Sequence, residues 1–107
     1  MINLNDLEQV KKSIQEDDLV VMLFSDLGCN VCLAITPDLD DMAQRYPLAK
    51  FMTADVEVIK TLVGEHLIFV YPTIVVFAQG KETKRFERVF SMDDIEATID
   101  RYYHMIF

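Results

Sequence analysis

Basic residues are scarce in this sequence, and the shortage argues against two classes of partner. Ten lysines and arginines stand against 18 aspartates and glutamates, which gives a formal net charge of -8 at pH 7. Because a negative protein gains no electrostatic attraction from phosphate groups, we expect neither general binding to nucleic acids nor adhesion to anionic membranes. The acidity more plausibly serves solubility.

Long apolar runs are also missing. The most apolar window, residues 67–78, is interrupted by Tyr71-Pro72-Thr73 and is too short to span a bilayer. Residues 1–18 are polar and amphipathic, without the basic start and apolar stretch that are typical of a signal peptide. These observations predict a cytoplasmic protein that does not enter the membrane.

Several motifs of enzymatic chemistry are absent as well. No phosphate-binding glycine loop, Ser/His/Asp arrangement or pair of carboxylates at catalytic spacing stands out, and there are no repeats, linkers or low-complexity tracts. With 107 residues, 51% of them hydrophobic, the chain is long enough for one compact core. We therefore expect a single domain over residues 1–107, without a cofactor, and no enzymatic chemistry other than redox chemistry.

The two cysteines, Cys29 and Cys32, lie three positions apart. They follow an apolar run, Leu19 to Ser25, that is typical of a buried strand, and they precede a helical pattern. The start of a helix lowers the pKa of a thiol, because free backbone N–H groups and the positive end of the helix dipole favour the reactive thiolate. Such a pair can also close a disulfide if the backbone brings the sulfurs together. The pattern predicts thiol–disulfide exchange.

Two other uses of the cysteine pair stay open. A structural zinc site needs four ligands, and His66 and His104 lie far away in sequence, so we expect no metal site and expect both histidines to face solvent. A zinc site shared between two chains is the remaining metal alternative. The other alternative is a non-catalytic protein-interaction module that has lost efficient exchange and kept a binding surface.

The remaining pattern predicts strands that alternate with helices. Four strands are expected, over residues 19–24, 48–54, 73–77 and 82–90. Four helices are expected. The first covers about residues 5–16 and opens with Asn5, followed three residues later by Glu8, a variant of the capping box. The others run from Cys32 to Tyr46, over a short stretch that Asp55 begins and Gly64 helps to end, and from Ser91 onward; the short stretch carries Val58, Ile59, Leu62 and Val63 at helical spacing. Together they indicate an α/β domain with a small mixed sheet and helices on both faces.

Four landmarks stand in the order and at the spacing of a known family. They are the Cys29/Cys32 pair after the first central strand, Pro37 inside the following helix, Tyr71-Pro72-Thr73 before the last hairpin, and Gly80 in its turn. Over nearly its whole length the chain thus resembles a thioredoxin-fold protein. The resemblance implies a four-stranded mixed sheet flanked by helices on both faces. The N-terminal strand of the full fold is expected to be missing, because Leu4 is already close to the first helix.

The resemblance also implies an activity, that of a thioredoxin-like protein-disulfide reductase. Cys29 would attack a substrate disulfide, and Cys32 would resolve the mixed disulfide that forms. The implied partners are a disulfide-containing protein or a small thiol substrate, and an electron-donating reductase or low-molecular-weight thiol. The chain itself is expected to be a monomer or a weak homodimer, with Met105 and Phe107 as candidate contact residues.

The substrate-binding residues are implied in the same way. Pro72 resembles the cis-proline of the family, beside which the backbone of Tyr71 can pair with an extended substrate as an added strand does. An apolar rim would surround the site, formed by Leu27, Val31, Val70 and Tyr71. Pro37 and Gly80 would have structural roles.

This chain departs from the family pattern at several positions around the cysteines. The departures are Gly28 for a tryptophan, Asn30-Val31 for Gly-Pro, Leu23 for a buried aspartate, Phe51 for its partner lysine, and Arg88 for a glycine. The proton-handling pair is therefore absent, which leaves open whether exchange is slowed or abolished. Asp26 would raise the pKa of the Cys29 thiol by like-charge repulsion, and Arg88, if it faces the site, would lower that pKa.

Overall fold

The computed structural model describes residues 1–26, 28–66 and 68–107, and over these residues it has five strands and four helices. The strands are β1 (Ile2–Leu4), β2 (Leu19–Ser25), β3 (Lys50–Asp55), β4 (Thr73–Ala78) and β5 (Lys81–Glu87). The helices are α1 (Leu7–Glu16), α2 (Asn30–Arg45), α3 (Leu62–His66) and α4 (Met92–Ile106). None of these helices is long and apolar enough to cross a membrane.

The strands form one mixed sheet in the order β1-β3-β2-β4-β5. The three strands β1, β3 and β2 run parallel, while β4 is antiparallel to β2 and β5 is antiparallel to β4. The sheet confirms the predicted α/β class, but the expected absence of an N-terminal strand is wrong. Ile2 pairs with Met52, and Leu4 pairs with Ala54. This strand has three residues, two of them exposed, so it carries too little alternation to be read from sequence.

Helices cover both faces of the sheet, as predicted. The side chains of β2 alternate between two cores. Val20, Met22 and Phe24 belong to the core that includes residues of α1 and α3, and Leu19, Val21 and Leu23 belong to the core that includes residues of α2 and α4. Because β2 is buried on both faces, its sequence reads as a continuous apolar run.

The start of α1 differs by one residue from the predicted cap. Asp6, not Asn5, is the N-cap, and its side chain accepts a hydrogen bond of 2.8 Å from the backbone N–H of Gln9. The Gln9 side chain in turn accepts from the backbone N–H of Asn5 at 2.9 Å. The capping exchange therefore joins Asp6 and Gln9, one position beyond the predicted Asn5 and Glu8.

The helix expected to begin at Asp55 begins only at Leu62. The Asp55 carboxylate accepts a hydrogen bond of 2.8 Å from the backbone N–H of Glu57. The backbone carbonyl of Asp55 accepts the N–H groups of Val58 and Ile59, which closes a turn. Gly64 lies inside α3 and does not end it. Of the apolar residues whose spacing predicted a longer helix, Ile59 and Leu62 are buried, whereas Val58 is 61% exposed.

Four other local predictions have clear outcomes. Pro37 lies inside α2, as expected, and Ser91 caps α4 by accepting the backbone N–H groups of Asp93 and Asp94. The turn between β4 and β5 contains Gly80 at φ +82°, a conformation in which glycine meets no steric cost. Strand β5 is shorter than predicted and ends at Glu87, before Arg88 with φ +58°.

Candidate active site

Cys29 and Cys32 form a disulfide at the start of α2. Strand β2 ends at Ser25, and the following loop brings Cys29 to the N-cap position of the helix. The two Cα atoms are 5.3 Å apart, a separation at which a disulfide closes without backbone movement. Strand β2 and helix α2 therefore bring the two sulfurs together, as the spacing predicted.

The loop before the helix is held by backbone hydrogen bonds and by one sulfur. The N–H of Cys29 donates to the Asp26 carbonyl at 3.1 Å, and the Sγ atom of Cys29 accepts the N–H of Cys32 at 3.1 Å. Gly28 has φ +83°, and a Cβ atom there would meet nothing within 4 Å, so backbone conformation and not space favours glycine. The Cys29 sulfur thus occupies the place of a capping oxygen.

The two sulfurs differ in access. Cys29 is partly exposed, whereas Cys32 is 4% exposed and lies on the inner side of α2. A substrate can therefore reach Cys29 directly, and Cys32 is positioned to react with Cys29.

On one side of the disulfide lies a shallow pocket of about 330 Å³, which we call the outer rim. Its lining residues are Asp26, Gly28, Cys29, Asn30, Val31 and Tyr71. The Tyr71–Pro72 peptide bond is cis, as the resemblance implied, and the Pro72 carbonyl accepts the N–H of Arg88 at 2.9 Å. The outer rim therefore joins the cysteine to the cis-proline segment.

The predicted rim residues are only partly brought to this pocket. Val31 and Tyr71 line it, while the carbonyl of partly exposed Val70 accepts the Thr73 hydroxyl at 2.7 Å. Leu27 lies outside the described residues. The phenylalanines fall on strand or core-facing positions of the sequence, which predicts that they fill the interior, but Phe69 is 75% exposed. Strand β4 begins at Thr73, where the sequence predicts it, so Phe69 and Val70 lie in the segment before the strand.

A second cavity, of about 370 Å³, borders both Cys29 and Cys32, and we call it the inner cavity. It opens between the carboxyl ends of β2 and β3, the start of α2 and the chain after β1. Its lining includes Leu23, Ser25, Asp26, Cys29, Cys32 and Asp55. Leu23, at the position where the resemblance implies an acid, lines this space and is 2% exposed.

Acidic side chains surround this end of the sheet. Burial raises the pKa of Tyr71, and the carboxylates of Asp26, Glu57 and Asp55 raise it further. Arg88 is exposed, and its backbone N–H ties it to Pro72. The carboxylates of Asp26, Glu57 and Asp55 therefore all act on the Tyr71 hydroxyl at this end of the sheet.

His66 is not solvent-facing, so that prediction is wrong. Its ring lies 5.5 Å from the Phe24 ring and 6.0 Å from the Phe77 ring, measured between centroids. Its buried Nε2 atom has no hydrogen-bond partner among the described residues. Burial lowers the pKa of His66, so the neutral ring is favoured. Sequence alone did not reveal that the end of α3 packs this ring against Phe24 of β2 and Phe77 of β4.

His104 is exposed, as predicted. Within the described parts of the chain, no group of three or more histidine, cysteine, aspartate or glutamate side chains is arranged to hold a metal ion. The two histidines thus differ in environment, since His66 packs against two phenylalanine rings and His104 is exposed beside Tyr103.

Known structures share this architecture. The thioredoxin of Plasmodium falciparum superposes with a TM-score of 0.87 at 19% sequence identity, over 95% of this chain and 99% of that one. The thioredoxin of Fasciola hepatica superposes with a TM-score of 0.85 at 26% identity and the same coverage. The five-stranded sheet with four helices is therefore the thioredoxin fold.

Sequence comparisons agree with the structural ones. Thioredoxin H-type 1 of Nicotiana tabacum is 36% identical over 78 residues, which are 73% of this chain and 62% of that protein. The matched part thus spans less than two thirds of the tobacco relative. The thioredoxin-like protein YdfQ of Bacillus subtilis is 24% identical over 98% of this chain and 94% of its own length. The Thioredoxin family model matches residues 2–101, and the chain therefore belongs to the thioredoxin family.

Proposed function

We propose that this protein is a thiol–disulfide oxidoreductase that works as a disulfide reductase. The observation that carries the proposal is the Cys29–Cys32 disulfide at the N-terminus of α2, in which the first sulfur is partly exposed and the second is buried. Membership of the thioredoxin family supports the same activity. Cys29 acts as the nucleophile and Cys32 as the resolving thiol.

The reaction starts from the reduced pair. The Cys29 thiolate attacks one sulfur of a substrate disulfide, the S–S bond breaks, and the released substrate thiolate takes up a proton. Cys32 then loses its proton and attacks the Cys29 sulfur of the mixed disulfide, which releases the second substrate thiolate. Two electrons have passed from the protein to the substrate, and the Cys29–Cys32 disulfide has formed.

The start of α2 supplies the stabilisation that the nucleophile needs. The N–H of Cys32 points at the Cys29 sulfur, and the positive end of the helix dipole lies beside it. A hydrogen bond to a charged acceptor is stronger than one to a neutral acceptor, so the Cys29 thiolate gains from both. This makes Cys29 the more reactive of the two thiols.

The outer rim is suited to an extended protein segment. Tyr71 and Val31 offer apolar surface next to Cys29, and the backbone of Tyr71 precedes the cis bond to Pro72. A substrate chain can pair with that backbone as an added strand, with its disulfide held over Cys29. The substrate is then a disulfide-containing protein or a small disulfide.

Regeneration requires an external electron donor. A reductase or a low-molecular-weight thiol reduces the Cys29–Cys32 disulfide by the reverse exchange. We place the protein in the cytoplasm, where such donors keep thiols reduced.

One alternative function shares the same fold. If the pair does not cycle, the outer rim is the binding surface of an interaction module. Leu23 stands where the resemblance implies a buried acid. This replacement favours the alternative only if Cys32 cannot lose its proton without that acid.

An equilibrium titration tests the proposal. The full chain is equilibrated in dithiothreitol and glutathione buffers of graded potential, its free thiols are alkylated, and the mass reports the fraction of Cys29–Cys32 disulfide. We expect one reversible two-electron transition at a potential low enough to resist glutathione. A markedly higher potential would point to an oxidant or isomerase.

The absence of an intramolecular disulfide at every potential would overturn the redox function and leave the interaction module. The same titration of the Cys32→Ser variant is the control, because one remaining cysteine forms mixed disulfides but no intramolecular one.

A further inference from the structure

We infer that the inner cavity is a subsite for small disulfides that carry a primary ammonium group. The inference rests on the proposed function and names one substrate class for it. The inner cavity is separate from the outer rim, although Asp26, Gly28 and Cys29 border both. The same nucleophile therefore meets two different environments.

The inner cavity gives a small molecule access to the reacting atoms. Both Cys29 and Cys32 line the inner cavity, so a molecule inside it lies next to the sulfurs that exchange. A volume of about 370 Å³ is within the range of small-molecule sites. A folded protein cannot enter such a space, and a compact disulfide can.

The walls of the inner cavity combine apolar surface with a few polar groups. Leu23, Leu33 and Val58 provide apolar surface, and Ser25, Thr36 and Thr53 provide hydroxyl groups. Asn3 and Asn5, from the N-terminal strand and the residue after it, add amide groups. Apolar walls with a few polar groups are typical of sites for small organic molecules.

The charged residues that line the inner cavity are acidic. Among the described residues that line the inner cavity, two are aspartates, Asp26 and Asp55, and none is lysine, arginine or histidine. A cationic group gains from this potential, and an anionic group is repelled.

The reaction in this subsite follows the proposed exchange. One half of the disulfide, with its ammonium group near Asp55, rests in the inner cavity while Cys29 attacks a sulfur atom. One aminothiol leaves, and Cys32 displaces the second from the mixed disulfide. The substrate gains two electrons and two protons, and the protein becomes the disulfide.

The test compares three small disulfides of different charge. Cystamine is cationic, bis(2-hydroxyethyl) disulfide is neutral, and 3,3′-dithiodipropionate is anionic. The protein is reduced with dithiothreitol and desalted, and its oxidation by each compound is followed at several concentrations. The measured quantity is the ratio of the second-order rate constants for cystamine and dithiodipropionate.

Matched variants separate the local charge from the net charge. The double variant Asp26→Asn/Asp55→Asn removes both carboxylates from the inner cavity, and amide oxygens keep most hydrogen bonds. The control Asp38→Asn/Asp41→Asn changes the net charge equally, at exposed positions of α2. Any general change of Cys29 reactivity cancels in the ratio.

We expect the ratio to fall about tenfold in the first double variant, because two partly screened ion pairs together are worth about 1.4 kcal/mol. The control should keep the ratio within about twofold. Equal ratios in the wild type and both variants would overturn the inference, as would an equal fall in both variants. Insulin, whose chains are joined by disulfides, serves as a protein substrate. If the wild type reduces the neutral disulfide and insulin, the proposed function stands, whatever the ratio shows. If it reduces none of them, the proposed function fails first.

Discussion

The two sides of the Cys29–Cys32 disulfide offer a substrate different surroundings. The outer rim is shallow, bordered by Val31 and Tyr71, and continues into the cis-proline segment. The inner cavity is more enclosed and is bordered by Leu23 and Asp55. An extended chain can lie across the first, and a compact molecule can fill the second.

The reactivity of Cys29 and the choice of its substrate depend on different residues. The reactivity of Cys29 comes from the start of α2, which serves both sides equally. What approaches Cys29 is decided by residues of other elements, namely the segment before β4 on the outer side and the ends of β1 and β3 on the inner side. Substitutions on one side should therefore change the choice of substrate more than the exchange itself.

The largest effect should come from the Cys32→Ser variant. Without the resolving thiol, turnover falls by at least about a hundredfold, because an external thiol must replace one held at high effective concentration. Mixed disulfides should accumulate on Cys29 with both insulin and cystamine, as measured by mass spectrometry. The Cys29→Ser variant is the control and should trap neither. Normal turnover of Cys32→Ser would show that the two sides do not share one resolving step.

The Leu23→Asp variant should have the next largest effect. It places a carboxylate beside Cys32 in the wall of the inner cavity, at a cost of about 3 kcal/mol in the free energy of unfolding. We expect the rate at which Cys32 resolves mixed disulfides to change for both substrates, since Cys32 takes part in both reactions. Stopped-flow measurement against pH reports this rate.

The Leu23→Asn variant is the matched control for that experiment. It carries a buried polar group of similar size that does not ionise, so it should lose similar stability without the pH-dependent change in rate. Equal rates in the two variants would mean that Cys32 deprotonates by another route.

Tyr71 provides a test of the outer rim alone. The Tyr71→Ala variant removes aromatic surface next to Cys29 and should lower kcat/KM for insulin about tenfold, which corresponds to about 1.4 kcal/mol. The value for cystamine should change by less than about threefold. Tyr71→Phe retains the ring and should behave as the wild type does with both. An equal loss with both substrates would remove the distinction between the two sides.

Protonation of His66 should make the free energy of unfolding depend on pH. Its pKa is lowered by burial, so the unfolded chain binds a proton at a higher pH than the folded chain does. The stabilisation is therefore complete above the unfolded pKa of about 6.5 and is lost as the pH falls through the lowered folded value. Because the ring is only partly buried, the loss should stay below about 1 kcal/mol.

Urea unfolding at a series of pH values measures this contribution. The His66→Phe variant should lose that part of the pH dependence, whereas His104→Gln, at an exposed position, should keep it. His66 ends α3, just before the segment that carries Tyr71 and Pro72, so acid should slow insulin reduction before it slows cystamine reduction. An unchanged pH dependence in His66→Phe would contradict this role.

How much the sequence predicted depends on how local each signal is. The apolar run of β2 and the position of Cys29 before a helix could be read within a few residues, and both are confirmed. Strand β1 was missed because three residues at a sheet edge show no period. The exposure of Phe69 was missed because an apolar loop next to β4 looks like part of the strand.

The inner cavity could not have been predicted in the same way. It is formed where Asn3, Leu23 and Asp55 meet from three different strands, and no spacing in the sequence relates them. The surroundings of His66 depend likewise on Phe24 and Phe77, which are 42 and 11 positions away in the chain (66 − 24 and 77 − 66). The reactive pair is a local feature, and its environment is a product of the fold.

Arg88 should give the smallest effect. It is exposed and adjacent to the cis-proline segment through its bond to Pro72, and we predict that its charge favours the Cys29 thiolate. Because the charge is screened by solvent, Arg88→Ala should slow alkylation of Cys29 by iodoacetamide only about twofold near neutral pH, and Arg88→Lys should restore the rate. Arg88→Gly should slow alkylation as much as alanine does. It should also stabilise the fold by about 1 kcal/mol, since glycine adopts φ +58° without strain. If all three variants are alkylated at the rate of the wild type, Arg88 acts only on the backbone turn. The selection of substrates at the outer rim would then rest on Val31 and Tyr71.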